Sequence, residues 1–566
     1  MKNKLFFTFF LLFFPFFLEC QSFGDGTRLT INKSGIISEE ITDEFPDLKL
    51  FPIGSNNKEL NYIFKEIFDD KDFQEIKQFL IELPINNKSL VIQKIVHKIL
   101  TSDFLMRNVK LSKEQDLELF TIKINKLFQT ARFSDIDQIY SKAPLNFIDE
   151  NFNLKRIEGY FLRNEYKNAC DLLNQDTFVK SYMFGKFEII CNIIEQNFEK
   201  ARFNLSLLKE KNEPGDNLFI DLCYSIIGDL KISKSKVLTD NKKEIASLNP
   251  ILLSSLQLAE ISPKFEHVKN ASPSILTFIL LSPSSDVDIK LYTAELLVKQ
   301  ERIDKSMLAD IYQLSSYSNE ELENAINDYK KLSPLQSRSL LYQALIRENS
   351  NDIKFELAKI LLNQSEKDEL FTQVAYLIKD SIDYKSLQNI SEKDIGLIFK
   401  IYLSVQKFNE AEIYINTIDT SENYKKYSLY LNLFKFLDNN VYFDKKILND
   451  YFDSRNDDYL TNKENIFLTI FSSFIFNNDS ELSNILINTN NENEVTINSL
   501  NIVSLINAIE KKSYFNSFRV IFKTMKDKNI SDLNIFEKLL LTKVLFKLEM
   551  NNEFKIFSKD ILLSIL

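Results

Sequence analysis

The chain has 566 residues, a hydrophobic fraction of 44 % and a formal charge of −10 from 80 acidic and 70 basic side chains. That apolar content excludes wholesale disorder, and an acidic surface repels phosphate backbones, so no nucleic-acid partner is expected. The 9 Gly and 11 Pro are too few for the turns of a large β-sandwich or barrel, or for Gly-rich nucleotide loops.

Lys2 and Lys4 precede an uncharged run, Leu5–Leu18, interrupted by Pro15. The run is too short to span a core of about 30 Å as a helix. Cleavage after Ser22 would put Cys20 and Ser22 at the small −3 and −1 positions. Residues 1–22 therefore read as a signal peptide, and export to a bacterial periplasm is expected. Phe17-Leu18-Glu19-Cys20 resembles a bacterial lipobox, with Glu19 where that motif has a small residue. A lipoprotein acylated at Cys20 is thus the lesser reading. No later run reaches the length of a membrane span, so none is expected in the mature chain.

Residues 23–56 hold Gly24, Gly26, Gly35 and Gly54 with Pro46 and Pro52, the composition of an extended, loosely ordered leader. From Asn57 the pattern turns helical. Glu59–Phe68, Phe73–Leu83 and Ser89–Leu100 carry apolar residues at three- and four-residue spacing, the mark of amphipathic helices. Ser318-Asn-Glu-Glu321, Ser365-Glu-Lys-Asp368, Ser391-Glu-Lys-Asp394 and Thr461-Asn-Lys-Glu464 have capping-box form. Ser333-Pro334 sets an N-cap before Pro at a first helical position.

An internal repeat shows when Phe133, Tyr166, Phe198 and Leu230 are aligned. Three residues on come Ile136, Ala169, Ala201 and Ser233; seven on come Tyr140, Leu173, Leu205 and Val237. These mark one face of a second helix in each unit, the first being supplied by segments such as Ile157–Arg163 and Ile189–Glu195. Tyr166-Lys-Asn-Ala169 and Phe198-Glu-Lys-Ala201 resemble the Tyr/Phe-x-x-Ala run of tetratricopeptide-type repeats. Phe408-Asn-Glu-Ala411 repeats it later. The resemblance covers residues 113–240 and a patch near 396–418. It lacks most of that family's Trp, Gly and terminal Pro. It implies stacked α-hairpins and no particular binding specificity.

Residues 249–283 carry Pro250, Pro263, Pro273 and Pro283 with Ser clusters. They read either as a junction that bends the array or as short helices with Pro at their starts. They separate an N-terminal array, 57–248, from a C-terminal array, 284–566. Cys170, Cys191 and Cys223 match no zinc spacing. Cys170 and Cys191 could pair across neighbouring helices; the plainer reading makes all three small buried residues.

Catalytic signals are scarce. A Ser-His-Asp or Cys-His site would need His97 or His267, expected as a partly exposed helix residue and a surface residue. The clusters Asp69-Asp70, Glu320-Glu321 and Asp457-Asp458 read as solvated helix ends. Asp25 and Asp43-Glu44 lack a calcium-loop pattern. Tyr342, Tyr402, Tyr424, Tyr427 and Tyr430 are expected to keep a wet tip. No catalytic, cofactor or metal residue is assigned, and no binding residue is named.

The expectation is an all-α protein: an α-solenoid of roughly 12–15 stacked hairpins in a right-handed superhelix of tetratricopeptide type. It is expected to be a non-catalytic scaffold or adaptor in the cell envelope, binding a protein or peptide partner along a concave face. The alternative is a peptidoglycan-associated factor. The chain is similar in length and composition to the superhelical part of periplasmic lytic transglycosylases. It shows no Glu-Ser pair followed by a Gly-rich segment near its C-terminus.

Overall fold

A computed structural model describes residues 49–55, 62–143, 150–175, 182–416 and 421–439, except 212, 214, 246, 247, 388 and 389. It also describes 446–447, 468, 471 and 513–566 except 527. Residues 1–22, expected as a signal peptide, most of the expected leader, Asp457-Asp458 and the expected Thr461 cap lie outside the described residues. The chain divides between Leu48 and Lys49 into two units, the second being Lys49–Leu566. It is all-helical, with no strand among the described residues. No described helix is long and apolar enough to cross a membrane.

The first helices are α1 (Tyr62–Lys65), α2 (Phe73–Glu82), α3 (Leu90–Thr101), α4 (Lys113–Gln129) and α5 (Phe133–Lys142). Asp72 with Glu75 and Ser112 with Gln115 form capping boxes that satisfy the opening amides of α2 and α4. Then come α6 (Glu150–Leu162), α7 (Tyr166–Leu173), α8 (Tyr182–Ile194), α9 (Phe198–Lys211), α10 (Asn217–Ile227), α11 (Lys234–Asp240) and α12 (Lys242–Ile245). The aligned aromatics Phe133, Tyr166 and Phe198 are the first residues of α5, α7 and α9. Ile136, Ala169 and Ala201, one turn in, are buried, and small residues there let α7 and α9 approach α6 and α8. The fourth unit departs from the pattern. Leu230 lies outside any helix and is exposed, and α11 starts behind Ser233.

One turn recurs between paired helices. Ala131, Asn164, Gln196, Gly228 and Glu260 all have positive φ, at intervals of 33, 32, 32 and 32 residues. Glu301, Glu369, Gln406 and Glu549 share that conformation further on. In each, the left-handed residue donates its N–H three residues back. The next residue donates five back, as Ala131 to Phe128 and Arg132 to Leu127. This is the Schellman helix stop, carrying glycine at Gly228 and Glu, Gln, Asn or Ala at the other eight named positions.

The Pro-rich stretch holds α13 (Pro250–Leu258), α14 (Phe265–Val268) and α15 (Pro273–Leu281). Pro250 and Pro273 stand at first helical positions, while Pro263 and Pro283 lie outside the helices. Next follow α16 (Val287–Lys299), α17 (Lys305–Tyr312), α18 (Asn319–Glu323), α19 (Ala325–Asp328), α20 (Pro334–Arg347), α21 (Asn351–Lys367) and α22 (Phe371–Ile378). After them run α23 (Glu392–Ser404), α24 (Phe408–Ile415), α25 (Ser421–Asn439), α26 (Tyr514–Met525), α27 (Ile535–Lys547) and α28 (Asn551–Ile565). Ser318, Ser333 and Ser391 cap as expected. Ser365 does not: it lies inside α21, where its hydroxyl donates to the Leu361 carbonyl at 2.7 Å.

The packing is not confined to sequence neighbours. Residues 157–251 and 218–261 form two cores of their own, while one continuous core joins residues 50–162 to helices from α15 to α28. Phe64 stacks on Phe518 at 5.6 Å between centroids, and Phe79 on Phe515 at 4.9 Å. The Asn87 amide donates to the Met525 carbonyl, and Lys98 pairs with the buried Glu553 at 2.7 Å. The first and last helices of this unit therefore share one interior.

Candidate functional site

The most elaborate polar site grips the segment Lys49–Ser55, which turns tightly where the Ile53 N–H donates to the Leu50 carbonyl, against α3, α4 and α5. Two side chains of α4 do most of it. The Asp116 carboxylate accepts the N–H of Leu50 at 2.6 Å and of Phe51 at 3.2 Å. Two turns on, the Lys123 ammonium donates to the carbonyls of Phe51 at 3.2 Å, Ile53 at 2.7 Å and Ser102 at 3.2 Å. Asp103 accepts the Gly54 N–H at 2.7 Å, and Lys142 donates to the Gly54 carbonyl at 2.7 Å. The Pro52 carbonyl and Ser55 N–H pair with the backbone of Phe104 and Thr101. The segment's main chain is thus held by side chains, by its own turn and by two bonds to the backbone at the end of α3 and just after it.

Apolar contacts set which residues fit. Leu50 and Phe51 are buried, with the Phe51 ring 5.0 Å from that of Phe104 and 5.7 Å from that of Phe68. The Lys123 ammonium lies 4.5 Å from the Phe104 ring centre, a cation–π contact that partly replaces lost water. A Cβ on Gly54 would stand 2.4 Å from the Thr101 carbonyl oxygen, so only glycine fits there. Burial pushes the Lys123 ammonium down to about 7, against the attraction of Asp103. Burial also raises the Asp116 carboxyl, opposed by the two N–H groups it accepts.

Beside it, His97 of α3 meets Asp135 of α5, Nε2 to carboxylate, at 2.8 Å, and Ser55 donates to the other carboxylate oxygen at 2.8 Å. The order of contacts matters. Ser55 Oγ bonds the acid and not the imidazole, so this contact gives the hydroxyl no base of the triad kind. Burial, partly offset by the Asp135 hydrogen bond, holds His97 below its ordinary pKa. Asp135 is pushed up by burial, but His97, Ser55 and the Arg132 charge outweigh this and hold it low.

A second buried polar group joins four helices of the C-terminal half. Arg338 of α20 forks onto Glu295 of α16 at 2.8 and 2.5 Å and reaches Asp368 at 2.6 Å. Tyr312 of α17 donates to Glu295 at 2.9 Å, while Ser339 and Gln343 donate to its carbonyl. Such a forked pair fixes the register of helices that cross.

The other sequence candidates scatter. His267 is not a surface residue: its side chain is 6 % exposed and its Nδ1 accepts the Lys264 N–H, because it closes the first turn of α14. Asp69 accepts from and pairs with Arg107, and Asp70 accepts from Asn108. Glu320 and Glu321 open α18. Tyr424 is exposed, whereas Tyr342, Tyr402, Tyr427 and Tyr430 are buried in helix seams. Cys170 of α7 and Cys191 of α8 form a disulfide with Cα atoms 5.7 Å apart, and Cys223 is free and buried. Among the described residues, no group of three or more His, Cys, Asp or Glu side chains is placed to hold a metal ion.

The sequence reading missed Asp116 and Lys123. Both lie on the stripe Asp116, Leu119-Phe120, Lys123-Ile124, Leu127-Phe128, whose spacing points all of them inward; a charge on a buried stripe was the available signal. No family model matches this chain, and no curated protein or solved structure matches it either.

Proposed function

We propose that the protein is an exported, non-catalytic scaffold or adaptor, an α-solenoid of tetratricopeptide type that binds a protein or peptide partner in the cell envelope. The observation that carries this reading is the grip on Lys49–Ser55. Helices of this chain hold a short non-helical segment by its main chain, with Asp116 on consecutive amides and Lys123 on nearby carbonyls. The same helix stop recurs along the chain, with its turns at 33, 32, 32 and 32 residues, a spacing that suits stacked hairpins. The Cys170–Cys191 disulfide supports an oxidising compartment, where such bonds persist.

The test is purification of the chain from envelope extracts after cross-linking, with cross-links mapped by mass spectrometry. One stoichiometric protein, cross-linked to neighbouring hairpins, is the expected outcome. Sedimentation of the purified chain with peptidoglycan, and no protein partner, would replace the adaptor with the polymer-associated reading.

A further inference from the structure

Two arginines occupy the same place in two different turns. Arg132 follows the left-handed Ala131, and Arg302 follows the left-handed Glu301; their backbone N–H groups close the Schellman stops on Leu127 and Leu297. Both turns come against one face of α3. Arg302 Nη2 donates to Gln93 Oε1 at 3.3 Å. One turn along, His97 bonds Asp135 at 2.8 Å, and Asp135 stands three residues after Arg132 in the first turn of α5. Lys94 pairs with Glu301 at 2.8 Å.

The charges here do not balance. Lys94 and Glu301 cancel. His97 is held neutral by burial. That leaves two guanidinium groups against the Asp135 carboxylate, which already accepts from His97 and Ser55, and the charge of Glu301, which Lys94 already pairs. Burial lowers both arginines; at Arg302 the Arg132 charge adds to this and brings it down to about 9, while at Arg132 Asp135 and Glu301 oppose it. Part of their hydrogen-bonding capacity is also unspent. Arg132 Nε, Arg302 Nε and Arg302 Nη1 are buried and have no partner within the protein. An unmet buried donor costs about 1–3 kcal/mol, more when charged, and a buried charge without its counter-ion costs several. Guanidinium forks match the paired oxygens of carboxylates and phosphates.

We infer that Arg132 and Arg302, brought together over Gln93 and His97 of α3, form a binding site for one compact oxyanion. Carboxylate and phosphate share the required chemistry: a delocalised negative charge and adjacent oxygen acceptors. The site is separate from the grip on Lys49–Ser55, which it adjoins through Asp135, and it does not depend on the adaptor reading.

The experiment measures the thermal midpoint of the full chain against increasing inorganic phosphate and, separately, acetate. Ionic strength is held constant with chloride. A ligand that binds only the native state raises stability in a saturable way. Wild type is expected to show a saturable rise with at least one of the two anions, the active one identifying the source. Arg132→Gln/Arg302→Gln is expected to lose it. Arg302→Lys keeps the charge and loses the fork, so its affinity is expected to fall at least tenfold; this variant decides if the double one does not fold. No saturable rise with either anion, the same rise in the double variant, or unchanged affinity in Arg302→Lys would overturn the site.

Discussion

Lys123 is a fully buried cation, and the carbonyls of Phe51, Ile53 and Ser102 with the Phe104 ring make that tolerable. Lys123→Met is expected to strand those carbonyls and cost about 2–4 kcal/mol. It should also loosen Lys49–Ser55, so trypsin should cut after Lys49 well before the helices, as peptide mass mapping would show. Unchanged protection would mean the segment is held by Leu50 and Phe51 alone. The Glu295–Arg338 pair makes a different demand. Arg338→Met alone leaves a buried carboxylate and should cost about 3–5 kcal/mol. Glu295→Met with Arg338→Met should recover most of that loss in urea unfolding, because two apolar chains leave no orphan charge. The sequence shows these groups only faintly, as charges on an apolar stripe. Taken singly, a Lys on an amphipathic helix or a Glu in α16 reads as solvated, and each becomes a buried charge only when a second helix brings its partner.

The turns carry the strain of this fold. An L-residue in the left-handed region costs roughly 1 kcal/mol relative to glycine, and among the described residues eight non-glycine residues accept it. Gln196→Gly should therefore raise stability by about 0.5–1 kcal/mol, and Gly228→Ala, at φ +89°, should lower it by about 1 kcal/mol. Both should appear as shifts of the urea midpoint at constant slope. Elements were the legible scale. Aromatic first residues located α5, α7, α9 and α24, and Ser-Pro and Ser-x-x-Glu located α20 and α18. Ser365 misled because a capping box and a mid-helix serine share one sequence form, and its hydroxyl bonds back to Leu361 within the long α21.

At the scale of the whole unit, the joining of first and last helices is the feature that local patterns could not show. Phe64 and Phe79 look like any other helix-seam residues, and nothing near them in sequence names Phe518 or Phe515. Asp560 of α28 sits in this region. Burial, with the charges of Glu369 and Glu301, raises its carboxyl to about 7, against Lys94 and Lys559. The folded state thus holds a proton that the unfolded chain releases near 3.8. Stability from this group is full below that value and is lost as pH rises toward about 7. Asp560→Asn should flatten the decline between those limits and be more stable than wild type at pH 8, by about 1–2 kcal/mol. An unchanged pH profile would show that Asp560 titrates normally.

The shared interior also sets an order of events during synthesis. The chain is made from its N-terminus, and domains ordinarily fold as they emerge. Here Phe64, Phe68 and Phe79 are complete only when Phe515, Phe518 and Phe522 arrive, more than four hundred residues later. The earliest hairpins must wait with their aromatic faces uncovered, while residues 157–251, which own a separate core, can settle first. The first helices made are among the last to be finished, so a truncated product would carry the exposed apolar surface that chaperones and proteases recognise.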